Sequence, residues 1–322
     1  MFERILVPLD GSPRAEMILP QLGRILRHED AEILLVRAVH VPPMPPDWGM
    51  ATDDLRRRER AEAQRYLHDV ALRFSERGVK VHGRVLQGRP PEAILDAASE
   101  EDATLIAMAT HGRSGLARFA FGSVAEKLLR SSDVPLLLVR SFRPNPDGDL
   151  EPMPPEELPF RKILVPFDGS ATAAAGLGPA VKFAQLFNAT GVILHVVPPY
   201  LPPGPILPGM EPVLPPAIPE PDAEEDSATA AAASRFEAVD LPAIRRTVLG
   251  DPASAILDHA FEAGVDLIAM ATHGRSGISR WAMGSVAERV LRASTVPMLI
   301  TRASERDAKR KVAAKPALPR AL

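Results

Sequence analysis

Short, uninterrupted apolar runs alternate along this chain with longer amphipathic stretches. The first half predicts a buried strand over Ile5–Leu9 and a helix from Ser12 to about Arg27, bent at Pro20 where the backbone donor is missing. A strand at Ile33–Val39 and a charged helix over Asp53–Glu76, ended by Gly78, come next. Lys80–Leu86 reads as strand, Pro91–Ser99 as helix, Thr104–Met108 as strand, Ser123–Arg130 as helix and Pro135–Val139 as strand. The second half repeats the order: Ile163–Phe167, Thr172–Phe187, Val192–Val197, Ala228–Ala238, Ile244–Leu249, Pro252–Glu262, Leu267–Met270, Ser285–Arg292 and Pro297–Thr301. Strands without an exposed polar face, alternating with helices, imply an α/β chain with parallel sheets covered on both sides.

The pattern repeats because the residues repeat. IAMATHGRSG occurs at Ile106–Gly115 and at Ile268–Gly277, GSVAE at Gly122–Glu126 and Gly284–Glu288, and ILVP(L/F)DGS at Ile5–Ser12 and Ile163–Ser170. Asp10 and Asp168 lie 158 residues apart and Gly112 and Gly274 lie 162 apart, a net insertion of four residues in the second copy. The expected organisation is a domain at 1–141, a linker at 142–159 rich in Pro, Asp and Glu, a second domain at 160–303 and a basic, disordered tail at 304–322. Within the second copy, 198–221 holds eleven prolines and is expected as an extended loop beside Val196.

Composition narrows the function classes. Thirty-eight basic against 41 acidic residues give no reason to expect a nucleic-acid or anionic-membrane partner. No cysteine is present, which removes disulfides, thiolate metal sites and a cysteine nucleophile. The opening MFERILVPLD runs into a strand without a signal-peptide pattern, and no apolar run approaches the roughly 18 residues of a membrane span. A soluble cytoplasmic protein is expected.

The shared strings concentrate loop chemistry. Ala109-Thr-His-Gly-Arg-Ser-Gly115 and Gly122-Ser123 follow a strand and open a helix. Glycines let backbone N–H groups approach an anion, and the helix start adds unpaired N–H groups and a positive dipole end. Phosphate is the expected guest. Ser123 with Glu126, and Ser285 with Glu288, also match the S-x-x-E capping box, so each serine reads as helix cap, phosphate contact or both. Asp10 and Asp168 fall past the first strand, beside the switch point of a doubly wound sheet, and read either as turn residues or as ligand contacts. His111 and His273 are loop-stabilising donors or phosphate contacts; Arg113 and Arg275 are surface charges or part of the anion loop. There is no G-x-x-x-x-G-K-[ST], no G-x-G-x-x-G after the first strand, and no Ser-His-Asp or His-Glu-x-x-His pattern. No base is placed to activate water and no carboxylate pair to hold a metal, so no catalytic or metal residues are assigned.

At these residues the chain resembles the universal stress protein family, as a tandem two-domain member. Nucleotide-binding members carry G-x2-G-x9-G-[ST] after the fourth strand. Gly112 with Gly122-Ser123, and Gly274 with Gly284-Ser285, fill its later positions, while Ala109 and Ala271 stand at the first. The resemblance implies two flavodoxin-like, adenine nucleotide alpha hydrolase-like, doubly wound domains with five parallel strands each and helices on both faces. It implies ATP or a related adenine nucleotide as ligand, with Mg as a companion ion. Asp10 and the backbone near Ala38, and likewise Asp168 and Val196, would meet the adenosine end. Met108 and Met270 would line the base or ribose pocket, or else are core residues. Pro8, Asp10, Ala38, Met108, Ala109, His111, Gly112, Arg113, Gly115, Gly122, Ser123, Val124 and Ala125 make up the first candidate set. Pro166, Asp168, Val196, Met270, Ala271, His273, Gly274, Arg275, Gly277, Gly284, Ser285, Val286 and Ala287 make up the second. The two copies are expected to pair as an intramolecular pseudo-dimer, with a homodimer as a further option. The expected function is that of a nucleotide-binding stress sensor or regulator rather than an enzyme, with weak ATPase activity left open; the alternative is a nucleotide-free interaction module.

Overall fold

The computed structural model describes residues 2–28, 30–41, 49–76, 78–110, 122–140, 142–144, 150–152, 159–199, 223–272 and 283–302. The chain divides into two compact units. Unit 1 comprises Met1–Pro159 with Thr295–Arg302, and the described part of unit 2 lies within Phe160–Ser294.

In unit 1 the strands are β1 (Arg4–Pro8), β2 (Glu32–Val39), β3 (Val81–Gln87), β4 (Leu105–Thr110) and β5 (Leu136–Arg140), with β12 (Met298–Thr301) from the end of the second repeat. Their order is β12-β5-β4-β1-β2-β3. Neighbours run parallel except β12, which pairs antiparallel with β5 through Met298–Leu138, Leu299–Leu137 and Ile300–Leu136. Unit 2 has β8 (Lys162–Pro166), β9 (Thr190–Val197), β10 (Ala243–Leu249) and β11 (Leu267–Ala271) in the parallel order β10-β9-β8-β11. The expected five strands per unit are thus distributed as six and four. The last strand is apolar on both faces, and so is the β5 edge that receives it. An uncovered edge of that kind is a liability that pairing removes.

The helices of unit 1 are α1 (Leu19–Leu26), α2 (Gly49–Ser75), α3 (Pro90–Glu100) and α4 (Ser123–Ser131). Those of unit 2 are α5 (Leu177–Phe187), α6 (Ala223–Glu237), α7 (Pro252–Glu262) and α8 (Ser285–Ala293). The single bent helix expected from Ser12 is instead a 3-10 turn at Ala15–Ile18 followed by α1. Pro20 falls in the first turn of α1, where its missing N–H interrupts no helical hydrogen bond, so it starts a helix rather than bending one. Gly78 has φ +76 and follows the end of α2, as its lack of a side chain allows. The linker also departs from expectation. Phe142–Pro144 (β6) and Leu150–Pro152 (β7) form a two-stranded antiparallel ribbon, in which both strands are edges and proline is tolerated.

Both units pack helices on strands, using different residues. In unit 2 Phe160 meets Phe183 and Phe187 edge-on, with centroids 5.0 and 4.9 Å away. Gly191 of β9 lies under the fully buried Phe236 of α6; a Cβ there would come within 2.6 Å of the ring. In unit 1 the matching strand position is Ile33, and the close approach moves to Gly83 of β3, which sits beneath Leu67 of α2. In each unit the chain winds outward from the first strand and then returns to its other side. Strand order therefore reverses between β1 and β4, and between β8 and β11, which opens a crevice at their carboxyl ends.

Candidate functional site

The Asp-Gly-Ser strings build the same turn twice. Asp10 Oδ1 accepts from the Ser12 amide at 2.8 Å, and Asp168 Oδ1 from the Ser170 amide at 3.0 Å. Ser12 Oγ then accepts from the Ala15 amide and Ser170 Oγ from the Ala173 amide, at 3.2 and 3.0 Å. Gly11 and Gly169 supply the positive φ between them, +88 and +78. The aspartates are therefore turn residues, and the turn holds each carboxylate at the mouth of its crevice.

In unit 2 that crevice is a cavity of about 370 Å3, within the ~300–1,000 Å3 usual for small-molecule sites. Pro166, Phe167 and Asp168 line it from the end of β8, and Leu194, His195, Val196 and Pro198 from the end of β9. Pro252 and Ile256 of α7, with Met270 and Ala271 of β11, form an apolar wall, and Thr272 follows at the strand end. Gly284, Ser285, Val286 and Ala287 close the far side with the start of α8. The Gly284 amide donates to the Thr272 carbonyl at 2.8 Å and ties that helix start to the strand end. The first helical bond runs from the Glu288 amide to the Gly284 carbonyl, so the amides of Ser285, Val286 and Ala287 have no acceptor within the helix.

The capping boxes do not form. Gly122 and Gly284 occupy the N-cap positions, neither helix start has a side-chain cap, and the serines are the first helical residues. The acidic partners turn along their own helices instead, Glu126 to Arg130 at 2.8 Å and Glu288 to Arg292. With glycine at the cap there is no hydroxyl where the box needs one.

The cavity brings together Pro166, Asp168, Val196, Met270, Ala271, Gly284, Ser285, Val286 and Ala287, all the described members of the second candidate set. His273, Gly274, Arg275 and Gly277 lie outside the described residues, as do His111, Gly112, Arg113 and Gly115. In unit 1 the cavity at Asp10 is lined by Arg37, Ala38, Val39, His40, Val41, Leu55 and Glu59. Pro8, Met108, Ala109, Gly122, Ser123, Val124 and Ala125 do not line it.

This arrangement of two units, each with a mostly parallel sheet and helices, has known counterparts. The model of the universal stress protein family matches residues 1–140 and 159–302. The chain belongs to the universal stress protein family. A universal stress protein of Mycobacterium tuberculosis is 28% identical over 266 residues, covering 82% of this chain and 83% of its own. One from Mycolicibacterium smegmatis is 25% identical over 312 residues, covering 92% and 96%. The crystal structure of a universal stress protein from Archaeoglobus fulgidus superposes with a TM-score of 0.69 at 20% identity, covering 94% of this chain and all of that one.

In this universal stress protein the rim of the unit 2 cavity carries an ion pair that the sequence reading missed. Asp251 caps α7 through the Ser254 amide and receives both arms of Arg289 from α8, at 2.8 and 2.7 Å. The Arg289 fork, then the amide and hydroxyl of Ser254, hold the Asp251 carboxyl well below the usual carboxylate range. The matching residues of unit 1 are Arg89 and Lys127, two cations. His195 was also missed. It is buried, with Nδ1 3.0 Å from the Phe167 carbonyl, and it forms part of the cavity wall. No shared string contains it, and only the departure from its counterpart Arg37 in the first repeat could have singled it out. The site can hold a planar apolar group between its walls, a hydrogen-bonding edge against Asp168 and an anion at the α8 start.

Proposed function

We propose that the unit 2 crevice binds an adenine nucleotide, ATP in the first instance, and that the protein acts as a nucleotide-dependent sensor or regulator in stress response. The observation that carries this reading is the single cavity that runs from Asp168, past Val196 and Met270, to the first turn of α8. The chemistry of its lining fits the ligand. Apolar side chains suit the base, the Asp168 carboxylate can accept from an exocyclic amine, and helix-start amides with a positive dipole end suit phosphate. Mg would enter with the phosphates, since among the described residues no three His, Asp or Glu side chains gather to hold an ion.

The reading is of binding without turnover. The residues of the cavity wall include one buried histidine, with Nδ1 against the Phe167 carbonyl, and one carboxylate, committed to a turn. Among the described residues no helix is long and apolar enough to cross a membrane, and we place the protein in the cytoplasm.

Calorimetry of the full chain with ATP, ADP and AMP tests the proposal. Wild type is expected to bind at least one of them, and Ala271→Trp, which fills the wall between β11 and α8, is expected to abolish that binding. Absence of binding at millimolar nucleotide would overturn the reading in favour of a nucleotide-free interaction module. So would an Ala271→Trp variant that binds as wild type does.

A further inference from the structure

The long helix of unit 1 carries arginines for which α6 of unit 2 has no equivalent positions. α2 runs for 27 residues where α6 runs for 15. The buried Phe74 and Phe236 are each the last residue but one of their helix, and counting back from them sets Ala223, where α6 starts, against Ala61. Arg56 and Arg60 fall before that point. With the carboxyl ends of β2 and β3 they enclose a cavity of about 210 Å3. The Gly88 amide donates to the Val39 carbonyl at 3.1 Å and ties the two strand ends together. Val39, Val41 and Val85 give the cavity an apolar lining, His40, Arg56 and Arg60 give it hydrogen-bond donors, and among the described residues no carboxylate lines it.

The pairing of charges along α2 sets these donors apart. Arg57 and Arg58 reach Asp54 at 3.7 and 2.8 Å, and Arg73 reaches Glu16 at 2.8 Å. Arg56 lies 3.3 Å from Asp53, with both side chains more than half exposed. Arg60 and His40 form no ion pair or hydrogen bond among the described residues. Arg56 and Arg60 stand one turn apart, a spacing at which like charges repel. An oxyanion between them turns that repulsion into charge-assisted hydrogen bonds, and the guanidinium fork matches phosphate oxygens.

We propose that this cavity is a phosphate site of unit 1, in which Arg56 and Arg60 hold the phosphate group and the His40 imidazole is a further donor. The proposal is independent of the nucleotide reading of unit 2. The volume lies below the roughly 300–1,000 Å3 of drug-sized pockets and suits one such group. The cavity of about 430 Å3 beside Asp10 shares Val39, His40 and Val41 with it and gives room for the rest of a phosphate monoester.

Calorimetric titration of the full chain with inorganic phosphate and with ribose 5-phosphate tests this. At about 0.15 M sodium chloride, attraction by exposed charges without a shaped site is largely screened. Wild type should bind at least one of the two. Tighter binding of ribose 5-phosphate identifies a monoester as the occupant, and equal or weaker binding identifies free phosphate. Arg56→Gln and Arg60→Gln should each weaken binding about tenfold, the worth of one charge-assisted contact. Arg57→Gln removes a charge from the same stretch of helix but not from the cavity, and should leave binding unchanged. Circular dichroism should show wild-type helix content in all three variants. Absence of binding at millimolar ligand overturns the proposal, as do Arg56→Gln and Arg60→Gln variants that bind as wild type does. A loss in Arg57→Gln equal to that in Arg60→Gln also overturns it, since the attraction would then be diffuse.

Discussion

Unit 1 and unit 2 start from the same strings and reach the same turn, within 0.2 Å in each of its two repeated hydrogen bonds, but they line that turn differently. In unit 2 the walls are mostly apolar, the start of α8 lines the same cavity as Asp168, and Asp251 joins Arg289 beside it. In unit 1 the Arg37 guanidinium lies against Gly11 of the turn, α2 is almost twice as long as α6, and the rim positions carry two cations. The shared residues fix a backbone and the unshared ones decide which side chains line the cavity beside it. A repeated motif is therefore a statement about fold, and the residues that differ between copies set the chemistry of each crevice.

The largest expected effect tests how each unit packs its helix on its sheet. Gly191→Ala pushes a Cβ into the ring of Phe236 and should cost about 1–3 kcal/mol, the usual range for overpacking a closed core. Gly83→Ala in unit 1 meets Leu67 Cβ at 3.1 Å, where a small shift relieves the contact, and should cost less. Urea unfolding followed by hydrogen exchange separates the units. The comparison breaks if the unit 1 variant is the more damaged. Adding Phe236→Leu to Gly191→Ala should recover part of the loss.

A smaller effect is expected at the rim. Asp251→Arg puts the unit 1 residue into unit 2, removes the α7 cap and sets two arginines against each other. Because the pair is solvent-exposed, its electrostatic share should fade as salt is raised, while the loss of the cap should persist. A thermal midpoint difference from wild type that is independent of salt would show that the ion pair adds nothing.

The smallest effect is a pH dependence confined to unit 2. Burial, then the nearby Arg246, lowers the pKa of His259 on α7; the corresponding residue of α3 is Ala97. The unfolded chain therefore binds the proton more readily than the folded one. Stability should be highest above the ordinary histidine pKa of about 6.5 and should fall as pH drops through that value toward the lower folded one. His259→Ala should flatten this slope in midpoints measured between about pH 7.5 and 5.5, and a slope unchanged in the variant would assign it elsewhere.

Much of this architecture was legible from residues. Ile5–Leu9 and Ile163–Phe167 are apolar without interruption because both sheet faces are covered, and the repeats carried the Asp-Gly-Ser turn openly. The described members of the second candidate set line one cavity because they lie at strand ends and a helix start, positions that topology alone brings together. Arg37 was not legible. In the string ILLVRAV it reads as a strand residue, and its place against the turn depends on the partners that α2 supplies from 25 and 29 residues later. The capping boxes misled for a related reason. S-x-x-E is satisfied in sequence whether the serine stands at the cap or one residue inside it, and the glycine before each serine took the cap. The placement of β12 depends on which sheet edge offers an apolar partner, a long-range choice that local pattern does not encode.

That placement bears on synthesis. β5 ends at Arg140 and the strand that covers its edge begins at Met298. At ribosomal rates of about 5–20 residues per second, roughly ten to thirty seconds separate their emergence. Throughout that interval the nascent first unit presents Leu136–Val139 as an unmated apolar border, and only Met298–Ile300 supply its complement. Translational pausing within the second repeat should lengthen this exposure, and a chain stopped short of residue 298 should leave the defect not in the unit it truncates but in the one made first.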